Sequence, residues 1–511
     1  MLKELDFIRF LVVSLYYVYT YDMETTKHPA WALAHKRPGT ELRYLDGKYY
    51  LYAYASAYDK EKKRPKKISG KYLGRITEQK GFIPSGKRKL EQALEFRNIT
   101  KPCCKEYGVS LLVTKKFSHS VKLLSDIFPG HWQSILAIAY CRLVFHCPLK
   151  NIPFRLSQSY LPELIGSSAF NEKTASGVLN AVGGMHEEKL AYMKAFITRE
   201  EYLLMDATNI FSNSTLITLA RKGYQRQTNF DTQFNLMYIY SVKSSMPVYY
   251  RLLPGNIREV KAFKNCLLDV GLKDAIIVAD KGFYSEKNVE LLLKEKLRFV
   301  LPLKRDSSMI DYSLLASNTF KEQSNYFVHE KRIIWYQEYH LPWDKRLFFI
   351  VFLDEALRIK EEQDYLIRIA THPEGHSIQQ YHERRDAFGT LTMLTDLTSK
   401  TAEDIYQTYK SRMTIEVLFD GMKNVLGADH TYMQNEQTLE GWMFINHITL
   451  QWYQQLYSEL KAKGLLKQYS VNDYIQLLTD LKKIKINGEW HFNEITKAPG
   501  RLMEKLGITY E

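Results

Sequence analysis

The order of strand-like and helix-like segments in the middle of the chain is the feature that most restricts its fold. Three strand-like segments come first, and helical and strand-like segments then alternate. Period-two or continuous apolar runs predict strands, whereas apolar residues repeating every three or four positions predict helices. Strands are predicted within 201–210, ending at Asp206, and at 234–242, 246–253, 275–280 and 297–303, and helices at 258–270 and 285–296. This order predicts an α/β fold with a mixed sheet flanked by helices.

Two of these predicted strands end in an aspartate. Asp206 follows Leu-Leu-Met, and Asp280 follows Ile-Ile-Val-Ala. A carboxylate at the end of a buried strand is held rigidly at the rim of the sheet. This placement suits a hard divalent cation, which prefers oxygen ligands. A single such aspartate is usually a helix cap or a surface residue, so the pair by itself leaves a structural role open.

A long helix is predicted to begin at Thr401, whose hydroxyl can cap it together with Asp404. It carries four polar side chains at the spacing Y-x2-R-x3-E-x6-K, namely Tyr409, Arg412, Glu416 and Lys423. In a continuous helix these offsets place all four within an arc of about 60°. Ile415, Val417 and Leu418 then face the opposite way and can pack on the sheet. The structural alternative is a salt-bridged surface helix with an i,i+4 ion pair.

The same spacing resembles the signature of the insertion-sequence-four family of bacterial DDE transposases. Three further segments are similar to motifs of that family: MDATNIF around Asp206, ADKGFYS around Asp280, and LLPGNIREVKAF at 252–263. The resemblance spans residues 201–448. It implies a ribonuclease-H-like core whose catalytic and metal-binding residues are Asp206, Asp280 and Glu416. It also implies a β-rich insertion before the signature helix.

The resemblance implies a DNA transposase that cuts at the terminal inverted repeats of an insertion sequence and joins the ends to target DNA by cut-and-paste. Three carboxylates can hold two Mg²⁺ ions about 4 Å apart, with Mn²⁺ as a substitute. Tyr409, Arg412 and Lys423 are implied to bind the DNA phosphates near the cleaved end. The implied partners are double-stranded DNA, at the element ends and the target, and a second copy of the chain in a synaptic homodimer. The implied location is the bacterial cytoplasm, at the nucleoid.

The chain is basic, with 71 Lys and Arg against 57 Asp and Glu, a net charge of +14. Residues 60–105 hold 15 of these basic residues and only 4 acidic ones. Strand-like runs at 48–58 and 71–76 flank a basic turn and predict a β-hairpin. Its cations are Lys62, Lys63, Arg64, Lys66 and Lys67. We interpret this hairpin as a contact to the DNA phosphate backbone; a solvated loop is the structural alternative.

Six regions are predicted along the chain: a basic, DNA-binding region at 1–110, a helical region at 111–199, the first part of the core at 200–304, a β-rich insertion at 305–397, the signature-helix part of the core at 398–460, and a helix-hairpin-helix tail at 461–511. The helical region either binds DNA, mediates dimerisation or supports the core. Trp335 and Trp343 in the insertion could stack on an unpaired base, although a buried structural role is the commoner one for tryptophan.

Other functional classes are weaker predictions. The apolar run at 7–21 is interrupted by Arg9 and too short for a membrane span, so we interpret it as a buried strand or helix, or as an over-extended start before Met23. No lipidation motif accompanies the basic hairpin, and we predict no membrane partner. A non-catalytic, transposase-derived DNA-binding regulator is one alternative to the transposase. A ribonuclease-H-like nuclease that cleaves without strand transfer is the other.

Overall fold

The computed structural model describes residues 28–508, except 60–63, 86–102, 167–169, 199–200, 223–231, 257–258, 273, 317–320, 322–324, 342–343, 345 and 429. The apolar run at 7–21 and three predicted DNA-contacting or stacking residues, Lys62, Lys63 and Trp343, lie outside the described residues. The chain divides into two compact units. The smaller unit takes Met1–Cys103 with Lys485–Trp490, and the larger takes Cys104–Ile484 with His491–Glu511.

The smaller unit contains a four-stranded antiparallel sheet in the order β1-β2-β3-β4. Its strands are β1 (Thr40–Leu45), β2 (Lys48–Asp59), β3 (Arg64–Thr77) and β4 (Gly81–Pro84), preceded by the short helix α1 (Ala30–Leu33). The predicted β-hairpin is therefore present and longer than the sequence indicated. Leu42, Leu51 and Ile76 form a small core on one face of this sheet, with Trp31 and Phe82 packed against it.

The larger unit begins with a helical region. It consists of β5 (Cys103–Glu106), α2 (Gly108–Lys116), α3 (Ser118–Ile127), α4 (Trp132–Phe145), α5 (Ile152–Ser157), α6 (Leu161–Ile165), α7 (Glu172–Gly184) and α8 (His186–Lys194). Asn171 caps α7, because its side chain accepts a hydrogen bond from the amide of Thr174 at 2.9 Å. In the part of the chain that the structure describes, no single helix is long and apolar enough to cross a membrane, although Trp132–Phe145 and Leu149–Ser157 pass that test as a pair bent by 100°.

A large mixed sheet forms the centre of the larger unit. Its first strands and helices are β6 (Tyr202–Ser212), β7 (Arg221–Lys222), β8 (Thr232–Ser241), β9 (Met246–Pro254), α9 (Glu259–Val270), β10 (Ile276–Ala279), α10 (Glu286–Lys294) and β11 (Arg298–Pro302). All five strands and both helices predicted between residues 201 and 303 are present. Strands β6, β10 and β11 are parallel neighbours, whereas β8 pairs antiparallel with both β6 and β9. The predicted mixed α/β sheet is confirmed.

The β-rich segment after residue 305 extends the same sheet. It contains α11 (Ser313–Ala316), β12 (Tyr326–His329), β13 (Arg332–His340), β14 (Phe348–Asp354), α12 (Glu355–Thr371), α13 (Ile378–Arg384) and β15 (Thr390–Thr395). The strand order β12-β13-β14-β15-β11 places β15 between the added strands and the parallel strands. The added strands therefore share hydrogen bonds with the central sheet through the antiparallel β11–β15 pair.

The predicted long helix is interrupted twice, so its continuity was a wrong prediction. The chain forms α14 (Ala402–Lys410), then α15 (Met413–Asp420), and then a π-helical turn at Gly421–Val425. The predicted cap is confirmed, because Thr401 and Asp404 form a reciprocal capping box. At the first interruption the amide of Arg412 bonds to the carbonyl of Tyr409, an i to i−3 bond that tightens the turn. The π turn changes the direction of Lys423 relative to a continuous helix.

The last part of the chain supplies a central helix. Its elements are β16 (His430–Thr431), α16 (Glu436–Ala462), α17 (Val471–Thr479), β17 (Lys482–Ile486), β18 (Glu489–Phe492) and α18 (Lys497–Leu506). Helix α16 packs against α7, α4 and β9, and most of its middle is buried. It therefore joins the helical region and the sheet into one hydrophobic core.

Two glycines set the distance between α7 and α16. A Cβ on Gly441 would collide with the backbone carbonyl of Leu179, and a Cβ on Gly183 would collide with that of Gln437. We expect Gly441→Ala to destabilise the protein by about 3 kcal/mol, because the two backbones must separate. Gly177→Ala lies on the exposed side of α7 and meets nothing within 4 Å. It should be neutral or stabilising by about 0.5–1 kcal/mol. Urea denaturation of both variants measures the difference in the free energy of unfolding. Equal values for the two variants would contradict the close contact between α7 and α16.

Candidate active site

Two neighbouring parallel strands bring Asp206 and Asp280 to the same rim of the sheet. The parallel pairing of β6 and β10 runs from Tyr202 beside Ile276 to Met205 beside Ala279. Asp206 directly follows Met205, and Asp280 directly follows Ala279. The prediction that β6 ends at Asp206 was wrong, since the strand continues to Ser212 by antiparallel pairing with β8. The parallel pairing of β6 with β10 does end at Met205, and the two aspartate side chains therefore lie at this edge of the pairing.

Arg412 lies among three carboxylates that come from three different elements. Its Nη1 atom is 2.9 Å from Asp206 Oδ2, and its Nη2 atom is 3.3 Å from Glu416 Oε1. The same Nη2 atom is 3.9 Å from Asp280 Oδ1. The interruption between α14 and α15 places Arg412 just before α15, and Glu416 lies in the first turn of that helix. The three acidic residues that the resemblance implied therefore converge on one point.

The site is partly shielded from solvent. The side chains of Asp206 and Arg412 are each 16% exposed, whereas Glu416 is 55% exposed. Burial raises the pKa of the Asp206 carboxyl to about 6; the Ala207 amide and Arg412 oppose this shift, and the other two carboxylates add to it. For Arg412, burial alone would lower the pKa, but the surrounding anionic groups outweigh it and the pKa is raised. One guanidinium therefore faces three acidic groups.

The donor set suits a divalent cation. Carboxylate oxygens are the preferred ligands of Mg²⁺, and here three carboxylates already surround one positive group at 2.9–3.9 Å. Among the residues that the structure describes, no three His, Cys, Asp or Glu side chains are arranged so as to hold a metal ion directly. Arg412 lies between the carboxylates instead. The residues fit the class of metal, and binding it would require Arg412 to move.

Of the other two members of the four-residue spacing, Tyr409 lies beside this cluster. Tyr409 is half-buried, and its ring centroid is 5.8 Å from the guanidinium carbon of Arg412. Burial raises the pKa of its hydroxyl. Lys423 lies in the π turn and is partly buried. Of the residues predicted to face away, Ile415 and Leu418 are buried, but Val417 is 37% exposed. The prediction was wrong for Val417, because the chain does not form one continuous helix.

The remaining predicted contact residues lie elsewhere. Trp335 is on β13, where its ring packs 5.2 Å from that of Tyr326 and 5.7 Å from the Lys321 ammonium group. Arg64, Lys66 and Lys67 lie on β3 and are exposed, in the smaller unit. The structure does not bring these residues into the carboxylate cluster through any contact that it describes.

The sequence did not predict the role of Arg142. This buried side chain of α4 donates to the backbone carbonyl of Leu426, the residue that ends the π turn carrying Lys423. It also donates to Asn446 of α16 at 3.3 Å, and it lies 4.6 Å from the ring of Trp442. Burial lowers its pKa to about 10. An arginine inside an otherwise apolar helix was the signal that could have revealed this contact.

Residues 198–452 match the family model described as Transposase DDE domain. The match covers close to half of the chain, and it contains the strands β6–β15, helices α14 and α15, and most of α16. This part of the chain is therefore similar to the DDE domain of transposases, and all three carboxylates of the cluster lie within the matched range.

Comparison with solved structures finds two transposase complexes with low sequence identity. One is a piggyBac transposase synaptic complex with hairpin DNA, at 12% identity and a TM-score of 0.38, covering 68% of this chain and 70% of that one. The other is a Mos1 transposase paired-end complex with a left transposon end, at 15% identity and a TM-score of 0.15, covering 30% of this chain and 53% of that one. No curated protein matches the chain significantly.

Proposed function

We propose that the chain is a DNA transposase of the insertion-sequence-four family, which cuts at the terminal inverted repeats of its element and joins the ends to target DNA. The observation that carries this proposal is the convergence of Asp206, Asp280 and Glu416 on Arg412 inside a transposase DDE domain. The Y-x2-R-x3-E-x6-K spacing supports the family assignment.

The strand order supports a ribonuclease-H-like core. Strands β9, β8, β6, β10 and β11 are consecutive neighbours, with β8 antiparallel to both of its partners and the last three parallel. In such a core the first and fourth strands are adjacent and would bring two aspartates together. Asp206 on β6 and Asp280 directly after β10 satisfy that requirement.

Asp206, Asp280 and Glu416 would together hold two Mg²⁺ or Mn²⁺ ions. When bound, these ions supply the activation of a water or 3′-hydroxyl nucleophile and the charge that stabilises the leaving oxygen of a phosphodiester. The protein holds the three carboxylates on different elements. A displacement of any one of them would therefore disrupt the site.

Arg412 has two states in this proposal. Without DNA, its guanidinium neutralises part of the negative charge of the carboxylates, as its raised pKa indicates. Once cations compensate the carboxylates, Arg412 is free to turn and bind a phosphate with two parallel hydrogen bonds, the geometry that guanidinium groups favour. Tyr409 and Lys423 would contact the same strand by a hydroxyl and a point charge.

Double-stranded DNA is the partner in this proposal, both as the element ends and as the target. The basic hairpin, including Arg64, Lys66 and Lys67, would bind the phosphate backbone, consistent with the local excess of positive charge. A homodimer would hold two ends for coordinated cutting, at the bacterial nucleoid. Trp335 is proposed to stack on an unpaired base near the cleaved end.

The proposal is tested with linear DNA that carries the reading frame and its natural flanks. In Mg²⁺ or Mn²⁺ the wild-type protein should cut both flanks at inverted repeats and insert the released fragment into a supercoiled plasmid. DNA with scrambled flanks and reactions with EDTA are the controls, and neither should give products. Cutting without insertion would favour a nuclease, and binding without cutting would favour a non-catalytic regulator.

A further inference from the structure

The register of the four-stranded sheet separates its side chains into two faces of different chemistry. Leu42 lies opposite Leu51, and Ile76 is on the same face, where these residues form the small core. On the other face, Arg43 lies opposite Tyr50, and Tyr50 lies opposite Arg75. Tyr52 lies opposite Tyr72 and shares this second face. We call the face of Arg43, Tyr50, Tyr52, Tyr72 and Arg75 the tyrosine face.

The small core does not use the tyrosine face. Tyr50, Tyr52 and Tyr72 are absent from the cluster built around Leu42, Leu51 and Ile76. Tyr72 is 40% exposed, and the other residues of the face are partly exposed. Large apolar groups exposed together on a sheet are a frequent sign of an interaction surface. The face is therefore available to a partner without any loss of core packing.

Positive charge and aromatic rings alternate on and beside this face. The guanidinium carbon of Arg43 lies 4.6 Å from the ring centroid of Tyr52, and the ammonium group of Lys67 lies 4.7 Å from that of Tyr54. Glu41 is an acidic neighbour, and Arg43 and Lys67 both pair with it. With Arg75 added, the cations outnumber the carboxylate. This net positive charge favours a polyanionic partner.

The arrangement of the rings favours duplex DNA over single-stranded DNA as the partner. Single strands bind by stacking bases on exposed ring faces. Here cations already lie over the rings of Tyr52 and Tyr54, and the ring of Tyr72 packs against those of Tyr50 and Tyr52 at 5.9 and 5.4 Å. The face therefore offers hydrogen-bonding groups and charge more than free stacking surfaces. These are the groups that contact base edges and phosphates.

The shape of the ribbon also fits a duplex. The 12 residues of β2 span about 40 Å at about 3.3 Å per residue. At the tyrosine face β1 and β4 flank β2 and β3, and β-sheets as well as two-stranded ribbons place strands in a DNA groove. The pairing of β2 with β3 contains register shifts near Tyr52. Such bulges increase the twist of a ribbon, and a twisted ribbon can follow a helical groove.

We propose that the tyrosine face enters the major groove of double-stranded DNA and contacts base edges, while the exposed cations of β3 bind the flanking phosphates. This inference rests on the proposed function in taking DNA as the partner. The hairpin was otherwise assigned only to the DNA phosphate backbone. The inference adds a surface of the same hairpin that contacts bases.

The test compares two double variants of the full-length protein that lose the same charge and the same type of ring. Tyr72→Ala with Arg75→Gln alters the tyrosine face. Tyr44→Ala with Arg37→Gln is the matched control, because Tyr44 is 57% exposed on the opposite face and Arg37 is exposed outside the sheet. Fluorescence anisotropy measures affinity for a 30-base-pair duplex from one end of the element and for the same sequence as a single strand. Dimethyl sulfate footprinting reports protection of guanine N7 in the major groove.

We expect the tyrosine-face variant to lose at least about tenfold in duplex affinity and to lose N7 protection, since each base contact contributes about 1–3 kcal/mol. The control should stay within about threefold of wild type. Equal losses in both variants, or wild-type preference for the single strand, would overturn the inference. Circular dichroism checks folding, and Arg75→Gln alone repeats the test with a smaller change.

Failure of this inference and failure of the proposed function give different results. A wild-type protein that binds duplex DNA through the tyrosine face but cuts nothing supports the inference and contradicts the transposase. A protein that cuts and inserts DNA equally well with Tyr72→Ala and Arg75→Gln contradicts the inference and leaves the transposase intact.

Discussion

Replacing any one carboxylate of the cluster by its amide should abolish DNA cleavage. We expect Asp206→Asn, Asp280→Asn and Glu416→Gln each to reduce cutting at the element ends by at least about a thousandfold, equivalent to about 4 kcal/mol. An amide keeps the shape of the side chain but binds a divalent cation weakly. Gel assays with end-labelled DNA in Mg²⁺ measure the rate.

The binding of DNA should survive these substitutions, because each of them removes a negative charge near a polyanion. The matched control is Glu403→Gln, the same change on a partly exposed residue in the first turn of α14. It should cut at the wild-type rate. Cutting by Asp206→Asn at the wild-type rate would remove that residue from the catalytic site.

Replacing Arg412 should make the DNA-free protein bind metal more tightly. Arg412→Gln removes the positive charge that lies 2.9–3.9 Å from the carboxylates. Two unit charges at about 4 Å interact by about 1 kcal/mol in water and about 4 kcal/mol near a protein surface. We therefore expect the midpoint of Mn²⁺ or Mg²⁺ binding to fall by at least about tenfold. Thermal unfolding against metal concentration measures it.

The same variant should be less stable without metal, because three carboxylates then lack a partner. It should also cut DNA poorly, since the proposed phosphate contact is lost. Arg412→Lys keeps the charge and should lie between the two proteins. Arg305→Gln is the control, because it removes an exposed arginine that pairs with Glu361 at 2.8 Å outside the cluster. An unchanged midpoint in Arg412→Gln would show that the guanidinium does not compete with metal.

Local pattern was enough to predict the strands and helices between residues 201 and 303, because each is a short apolar run bounded by polar residues. It also placed Asp206 and Asp280 at strand ends. It did not predict that β6 continues past Asp206. That extension depends on antiparallel pairing with β8, about thirty residues later in the chain, and local periodicity carries no information on a distant partner.

The four-residue spacing predicted one shared face for Tyr409, Arg412, Glu416 and Lys423 from a partly wrong geometry. It assumed one straight helix, whereas the chain tightens at Arg412 and widens at Lys423. These departures depend on what the helix packs against, including the hydrogen bond from Arg142 to Leu426. Likewise the strands after residue 305 were predicted, but their addition to the central sheet was not, because strand pairing is decided by tertiary contacts.

The position of α16 in the core has a consequence for incomplete products of the gene. Glu416 lies more than two hundred residues after Asp206, and the helix that packs against α7, α4 and β9 comes later still. A chain that terminates before residue 400 lacks both the third carboxylate and the helix that fills the core. Such a fragment still contains the basic hairpin. If the hairpin binds DNA as proposed, we expect such copies to compete for DNA without cutting it.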